Sequence, residues 1–277
     1  MNRFLRCGGF TLDLSRPLVM GVVNVTPDSF SDGGRYLSAQ AAIDHARRLV
    51  EEGADLLDIG GESSRPGAEP VPVEEELRRV MPVLEAVVAL GVPVSVDTMK
   101  PQVMRAAIGV GAAMVNDILA LRAPGALEAV AGSDVAVCLM HMQGEPRTMQ
   151  VNPTYGDVVR EVRDFLAERW RPPRRRASNA AASWWIPALV SARTAPTTWR
   201  YSADLPVFAA LGVPVLVGLS RKSVLGRLTG RDVNERLAAS LAAAVLAVER
   251  GAHIVRVHDV AATRDALAVL AAVTGAA

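Results

Sequence analysis

A chain of 277 residues, 50% hydrophobic and 21% charged with a net charge of +1, suits one large domain and carries enough apolar material to bury a substantial core. That composition excludes intrinsic disorder, a collagen repeat and a disulfide scaffold, and the near-zero net charge gives no bulk attraction to nucleic acid or an anionic membrane. The two cysteines, Cys7 and Cys138, make no framework and stand in no metal-ligand spacing, which fits a reducing compartment. The opening MNRFLRCGGFTLDL lacks the apolar stretch of a signal peptide. The longest apolar run, Leu237 to Val248, is too short to span a bilayer and reads as a buried helix. The expectation is a soluble cytoplasmic protein.

In chain order, short β-branched runs alternate with stretches of helical periodicity. PLVMGVVN ends at Asn24 and precedes a helix over Ser38–Glu52, and ADLLDIG brings Asp58 ahead of a helix over Val73–Leu90. VPVSVDT brings Asp97 before a helix over Pro101–Val110. AAMVND then ends at Asn116 and VAVCLMH at His141, with a helix following over Asp157–Trp170. VPVLVGLS ends at Ser220, a helix covers Asn234–Arg250, HIVRVH ends at His258, and a last helix covers Ala261–Val273. Continuous Val/Ile/Leu strands alternating with amphipathic helices predict a parallel sheet covered on both faces. These are seven strands, and the gap between the fifth and sixth has room for one more. The prediction is a single (β/α)8 TIM barrel over residues 1–277 with its sixth βα unit disrupted. A doubly wound open sheet is disfavoured because no G-x-G-x-x-G follows the first strand. In a barrel the polar strand ends meet at one mouth.

The stretch Arg171–Ala203 stands apart. It contains no Asp, Glu or Lys, and all four tryptophans (Trp170, Trp184, Trp185, Trp199) lie in or beside it. It shows neither strand nor helix periodicity, and its plain reading is a basic, Pro/Ala-rich insertion loop. The genetic code offers a sharper one. Trp184 and Trp185 are both TGG and Ile186 begins AT, so a shifted frame reads GTG and GAT, Val-Asp. With permitted codons, Pro187–Arg193 continue as Pro-Gly-Phe-Gly-Phe-Gly-Lys, and Thr197–Ala203 as His-Asn-Leu-Ala-Leu-Leu-Arg. Two compensating single-nucleotide shifts, near Arg171 and near Ala203, would hide a strand, a Gly-rich turn and a helix in this segment.

The motifs carry the chemistry. Met20–Gly34, MGVVNVTPDSFSDGG, delivers Asn24 and a long loop of turn formers, of the kind a lid uses. Leu56–Ala68, LLDIGGESSRPGA, combines Asp58, a Gly60-Gly61 pair that permits close backbone approach, and the always-charged fork of Arg65. Asp97 and Asn116, on adjacent strand ends, offer a carboxylate beside an amide for the edge of a flat heterocycle. Gly218–Gly226, GLSRKSVLG, puts Arg221, Lys222 and Ser223 on a turn into a helix start, a place for an anion. Lys222 stands out because the only other lysine is Lys100. Arg256 and His258 alternate on the last strand and so share a face suited to phosphate or diphosphate. The duller reading of each residue is a turn former, a helix cap or a solvated charge.

Together these motifs resemble dihydropteroate synthase, a pterin-binding (β/α)8 barrel family, from about Leu18 to Ala276 with an interruption at Arg171–Ala203. The family's DPGFGFGK signature is what the shifted frame restores. The resemblance implies condensation of 6-hydroxymethyl-7,8-dihydropterin diphosphate with 4-aminobenzoate, release of diphosphate, Mg2+ at the leaving group, and a homodimer. It implies that Asn24 is the metal-linked Asn and that Asp97, Asn116 and Lys222 contact the pterin. Arg256 and His258 would bind diphosphate, Ser64 and Arg65 would belong to the second substrate loop, and Ser223 would lie where the aminobenzoate carboxylate docks. Asp58 would lie in the barrel wall. The family's sixth-strand Asp is missing from the chain as written. Rival readings are a pterin-dependent methyltransferase on the same barrel and a non-enzymatic pterin-binding paralogue.

Overall fold

The structure is a computed structural model that describes residues 3–25, 35–63, 69–141, 154–170, 185–189 and 195–275. A hairpin of β1 (Phe4–Cys7) and β2 (Phe10–Asp13) leads the chain. It turns at Gly8, whose φ of +55° is open to glycine and costly for other residues. Eight parallel strands then close a barrel: β3 (Leu18–Asn24), β4 (Leu56–Gly60), β5 (Val94–Asp97), β6 (Met114–Asp117), β7 (Ala136–Met140), β8 (Trp185–Leu189), β9 (Leu216–Val217) and β10 (Ile254–Val257). They run in chain order around the barrel, and β10 pairs with β3 to close it.

Strand alternation explains why these runs are apolar throughout. One set of side chains (Leu18, Met20, Leu56, Met114, Cys138, Leu216, Ile254) fills the barrel, and Leu5 and Cys7 of the hairpin pack against the same cluster. The other set (Val19, Val23, Leu57, Ile59, Val96, Val115, Val137, Val255, Val257) faces the helical jacket. That jacket includes α1 (Arg35–Glu51), α2 (Val73–Val87), α3 (Pro101–Gly109), α4 (Ala126–Val130) and α5 (Val158–Trp170). It continues with α6 (Ala195–Ala203), α7 (Leu205–Ala209), α8 (Ser223–Thr229), α9 (Leu237–Glu249) and α10 (Val260–Thr274).

The eight-stranded barrel is as expected, while two narrower readings need correction. The stretch around Trp185 is not simply an insertion loop: β8 fills the gap at the sixth barrel position, in parallel register with β7 (Cys138↔Ile186) and β9 (Leu189↔Val217). A ladder is made by main-chain groups, so an extended segment fills it without a particular side-chain pattern, even with Pro187 contributing no N–H. The unit is thus topologically present, and the departure lies in its residue types. The apolar helix α9 is also not buried all round. Ser240, Ala243, Ala244 and Ala247 are buried, whereas Leu237 and Leu246 are 42% and 48% exposed.

Candidate active site

The rim at the C-terminal ends of the strands gathers the polar groups. One register layer runs Asn24↔Gly60↔Asp97↔Asn116↔Cys138↔Ile186 through six neighbouring strands. Arg256 enters from β10. Its Nε donates to Asp58 Oδ2 at 2.6 Å and its Nη2 to Asp97 Oδ2 at 3.1 Å. Asn116 Nδ2 donates to the same Asp58 Oδ2 at 3.1 Å. The structure therefore brings Asp97, Asn116 and Arg256 together, and it makes Asp58, expected only in the wall, the group on which Arg256 and Asn116 converge. Asp58 is fully buried, and its Oδ1 has no hydrogen-bond partner among the described residues. Such an acceptor is costly unless a ligand or water meets it. The missed signal was parity: Asp58, Asp97 and Arg256 all fall on inward positions of their strands.

Burial, reinforced by the Asp58 charge and opposed by Arg256, pushes the Asp97 carboxyl up to about 7. A carboxyl poised there can accept or donate a hydrogen bond, as the edge of a nitrogen heterocycle demands. Gly60 leaves space between Asp97 and Asn24. A methyl group placed on it would lie 3.9 Å from Asp97 Oδ2 and 4.0 Å from Asn24 Oδ1. Asn24 Oδ1 and Asp97 Oδ2 thus flank the same glycine, and no cluster of three His, Cys, Asp or Glu residues suited to a metal occurs among the described residues.

At the ends of β9 and β10, Ser220 Oγ accepts from the His258 backbone N–H at 3.2 Å and lies 3.0 Å from His258 Nδ1. Burial, then the Arg256 charge, lowers His258 to about 4, so the ring is neutral at pH 7. If Ser220 donates to Nδ1, the ring proton sits on Nε2 as a donor. Lys222 stands at the N-cap of α8 and Ser223 is its exposed first residue. The positive charge of Lys222 acts on both Asp97 and His258, which places it electrically within the site.

Beside the mouth, the other lysine has a structural partner set. Lys100 pairs with Glu62 and the fully buried Glu76. Glu62 Oε1 also accepts from Val71 N–H at 3.2 Å, and Arg79 Nη1 donates to the Gly61 carbonyl at 3.0 Å. These bonds fasten both ends of the segment containing Ser64 and Arg65, which themselves lie outside the described residues. His141 does not join the ring of polar strand ends. It follows the inward Met140 and packs edge-on against Phe165 of α5, with centroids 4.9 Å apart and planes at 81°. Asp117, next to Asn116, accepts from Leu119 N–H (2.8 Å) and Leu121 N–H (2.7 Å), shaping a turn in which Ala120 and Leu121 adopt φ of +53° and +55°.

A closed β/α barrel whose strand ends assemble amide, carboxylate, guanidinium and imidazole groups defines a barrel enzyme with its site at the usual face. A family profile described as "Pterin binding enzyme" matches residues 20–258, and the chain belongs to that family. Among the relatives, the dihydropteroate synthase of Escherichia coli strain K12 is 47% identical, over 97% of this chain and 95% of its own. The solved dihydropteroate synthase of Xanthomonas albilineans with 4-aminobenzoic acid is 53% identical over 99% of both chains, with a TM-score of 0.90. A structure of the Xanthomonas albilineans enzyme in complex with 7,8-dihydropteroate shares 52% identity over 98% of both chains at a TM-score of 0.87.

Proposed function

We infer that the chain catalyses the dihydropteroate synthase reaction: the methylene carbon of a dihydropterin diphosphate is transferred to the amine of 4-aminobenzoate. The C–O bond to diphosphate breaks, a C–N bond forms, and the amine proton leaves to solvent or to the diphosphate. The observation that carries this reading is the convergence of Asp58, Asp97, Asn116 and Arg256 at one end of the closed barrel. The first three offer acceptors and an amide donor to a flat bicyclic ring, and Arg256, fixed in orientation by two carboxylates through Nε and Nη2, offers its charge and remaining N–H donors to the departing anion. Neutral His258 assists through a hydrogen bond, and Lys222, on the turn into α8, contacts the pterin. The electron-rich pterin can stabilise a cationic methylene, so departure of diphosphate can precede attack, and no protein nucleophile is required. Catalysis then rests on positioning and on stabilising the leaving group.

The same reading assigns Ser64 and Arg65 to the second substrate loop and the aminobenzoate carboxylate to Ser223. It assigns Mg2+ to the diphosphate, with the Asn24 amide oxygen as its protein contact. Magnesium characteristically keeps waters and substrate phosphates as most of its ligands, so a single protein oxygen suits it. When bound, the ion neutralises charge developing on the leaving group. The protein works as a homodimer in the cytoplasm in this reading: Val269 and Val273 of α10, 65% and 80% exposed, add to the uncovered apolar surface of α9. Both cysteines are buried thiols without a disulfide, and no helix among the described residues is long and apolar enough to cross a membrane.

Arg171–Ala203 is, in this reading, an out-of-frame stretch. The Asp of the shifted frame overlaps the codon of Ile186, and Ile186 is the residue in register with Cys138 in the Asp97–Asn116 layer. Resequencing the gene tests it, since an uninterrupted alternative frame must run across these codons. Incubating purified protein with the pterin diphosphate, 4-aminobenzoate and Mg2+ tests the reaction. Dihydropteroate and diphosphate should form in equal amounts, whereas methyl transfer from a methylated pterin, or binding without product, would overturn the assignment.

A further inference from the structure

The turn from β9 into α8 is fastened chiefly through Arg221. Arg221 sits at φ of +56°, a conformation uncommon for a residue with a side chain. Its backbone N–H donates to Ser240 Oγ on α9 at 3.0 Å, and its carbonyl accepts from Arg236 Nη1 at 3.0 Å. Its guanidinium holds the Asp259 carboxylate with two bonds, Nε to Oδ2 at 3.1 Å and Nη2 to Oδ1 at 2.5 Å. Asp259 directly follows His258, and Ser220, directly before Arg221, bonds to His258. The turn bearing Lys222 and Ser223 is thus tied to the strand end bearing Arg256 and His258. The two side chains are 35% and 22% exposed, well below the 64% and 41% of a surface pair such as Arg3–Asp13.

We propose that Arg221 and Asp259 form a positioning pair for the reaction, setting the Lys222–Ser223 turn against Arg256 and His258 so that the amine acceptor and the departing diphosphate are held in mutual register. Neither side chain touches the reacting atoms. The role needs a planar two-pronged cation, so lysine at position 221 keeps the charge and loses the alignment. The proposal rests on the reaction assigned above, and its test separates the two.

Arg221→Lys, Asp259→Asn and the double variant are compared with wild type for kcat, for KM of both substrates, for calorimetric binding of inorganic diphosphate, and for melting temperature. Each single variant should lower kcat/KM by about 10- to 100-fold, the cost of misplacing groups by an ångström or less. Each should also weaken diphosphate binding, and the double variant should be no worse than the worse single one. Arg221→Lys and Asp259→Asn remove the same fork from opposite ends, so either one, if the other does not fold, carries the test. A drop in melting temperature with kinetics and diphosphate binding unchanged would reduce the pair to a structural tie and overturn the proposal, as would losses that simply add. A wild-type protein that binds diphosphate without forming product would sink the assigned reaction, and diphosphate binding by the variants would still judge the pair.

Discussion

Arg256 lies between two carboxylates, yet burial, more than its charge, governs how the site titrates. The Asp97 carboxyl, pushed up to about 7 by burial and by Asp58, is protonated below that pH and charged above it. Its folded value exceeds the ordinary carboxylate value of about 4, so the folded state holds a proton that the unfolded chain has released. Its contribution to stability is therefore greatest at low pH and declines as pH rises from about 4 towards 7. Binding should run the other way. A 2-amino-4-oxo heterocycle presents adjacent N–H donors, for which the ionised carboxylate is the better acceptor. Pterin affinity is predicted to rise as pH increases through 7 in the wild type and to stay flat in Asp97→Asn. Calorimetric titrations from pH 5.5 to 8.5 check this, and identical profiles for the two proteins would contradict it.

Among the elements, the joint between β4 and α2 is closely packed at the mouth. A Cβ on Gly61 would come 2.6 Å from Val80 Cγ1 and 3.1 Å from Glu76 Cγ, so α2 reaches the strand end only because glycine stands there. Gly61→Ala is predicted to destabilise the fold by about 1–3 kcal/mol, the usual cost of overpacking, and to disturb Glu76 and its pairing with Lys100. Denaturant unfolding measures it, and an unchanged midpoint would show that the helix gives way freely. Seven barrel strands were legible because their alternate residues serve two apolar layers and so form unbroken Val/Ile/Leu runs. β8 was not legible: Trp-Ile-Pro-Ala-Leu carries a proline and lies in a stretch without periodicity, and its pairing is a main-chain property. The leading hairpin was overlooked although Gly8-Gly9 between apolar residues is a turn signal. The exposed face of α9 was hidden because alanine and leucine read the same whether or not a neighbour covers them.

At the scale of the whole molecule, closure of the barrel turns residues distant in sequence into one site. Arg256 meets Asp58 across 198 positions and Asp97 across 159. Strand order and parity put Asp97, Asn116 and Arg256 at the rim from sequence reasoning alone. The sharing of Asp58 by Arg256 and Asn116 depends on side-chain reach across the barrel and needed coordinates. His141 marks the same boundary: it ends its strand like the others, but one residue of parity turns it onto α5. In the proposed reaction this rim grips a pterin and, beside it, the departing diphosphate. The most direct test of this is parallel calorimetry of a 6-hydroxymethylpterin and of inorganic diphosphate against wild type, Asn116→Ala, Lys222→Ala and Arg256→Ala. Asn116→Ala and Lys222→Ala should each lose about tenfold or more in pterin affinity, roughly 1.4 kcal/mol, and retain most of their diphosphate binding, while Arg256→Ala should lose chiefly diphosphate. Equal losses for both ligands in all three variants, or none, would contradict the account.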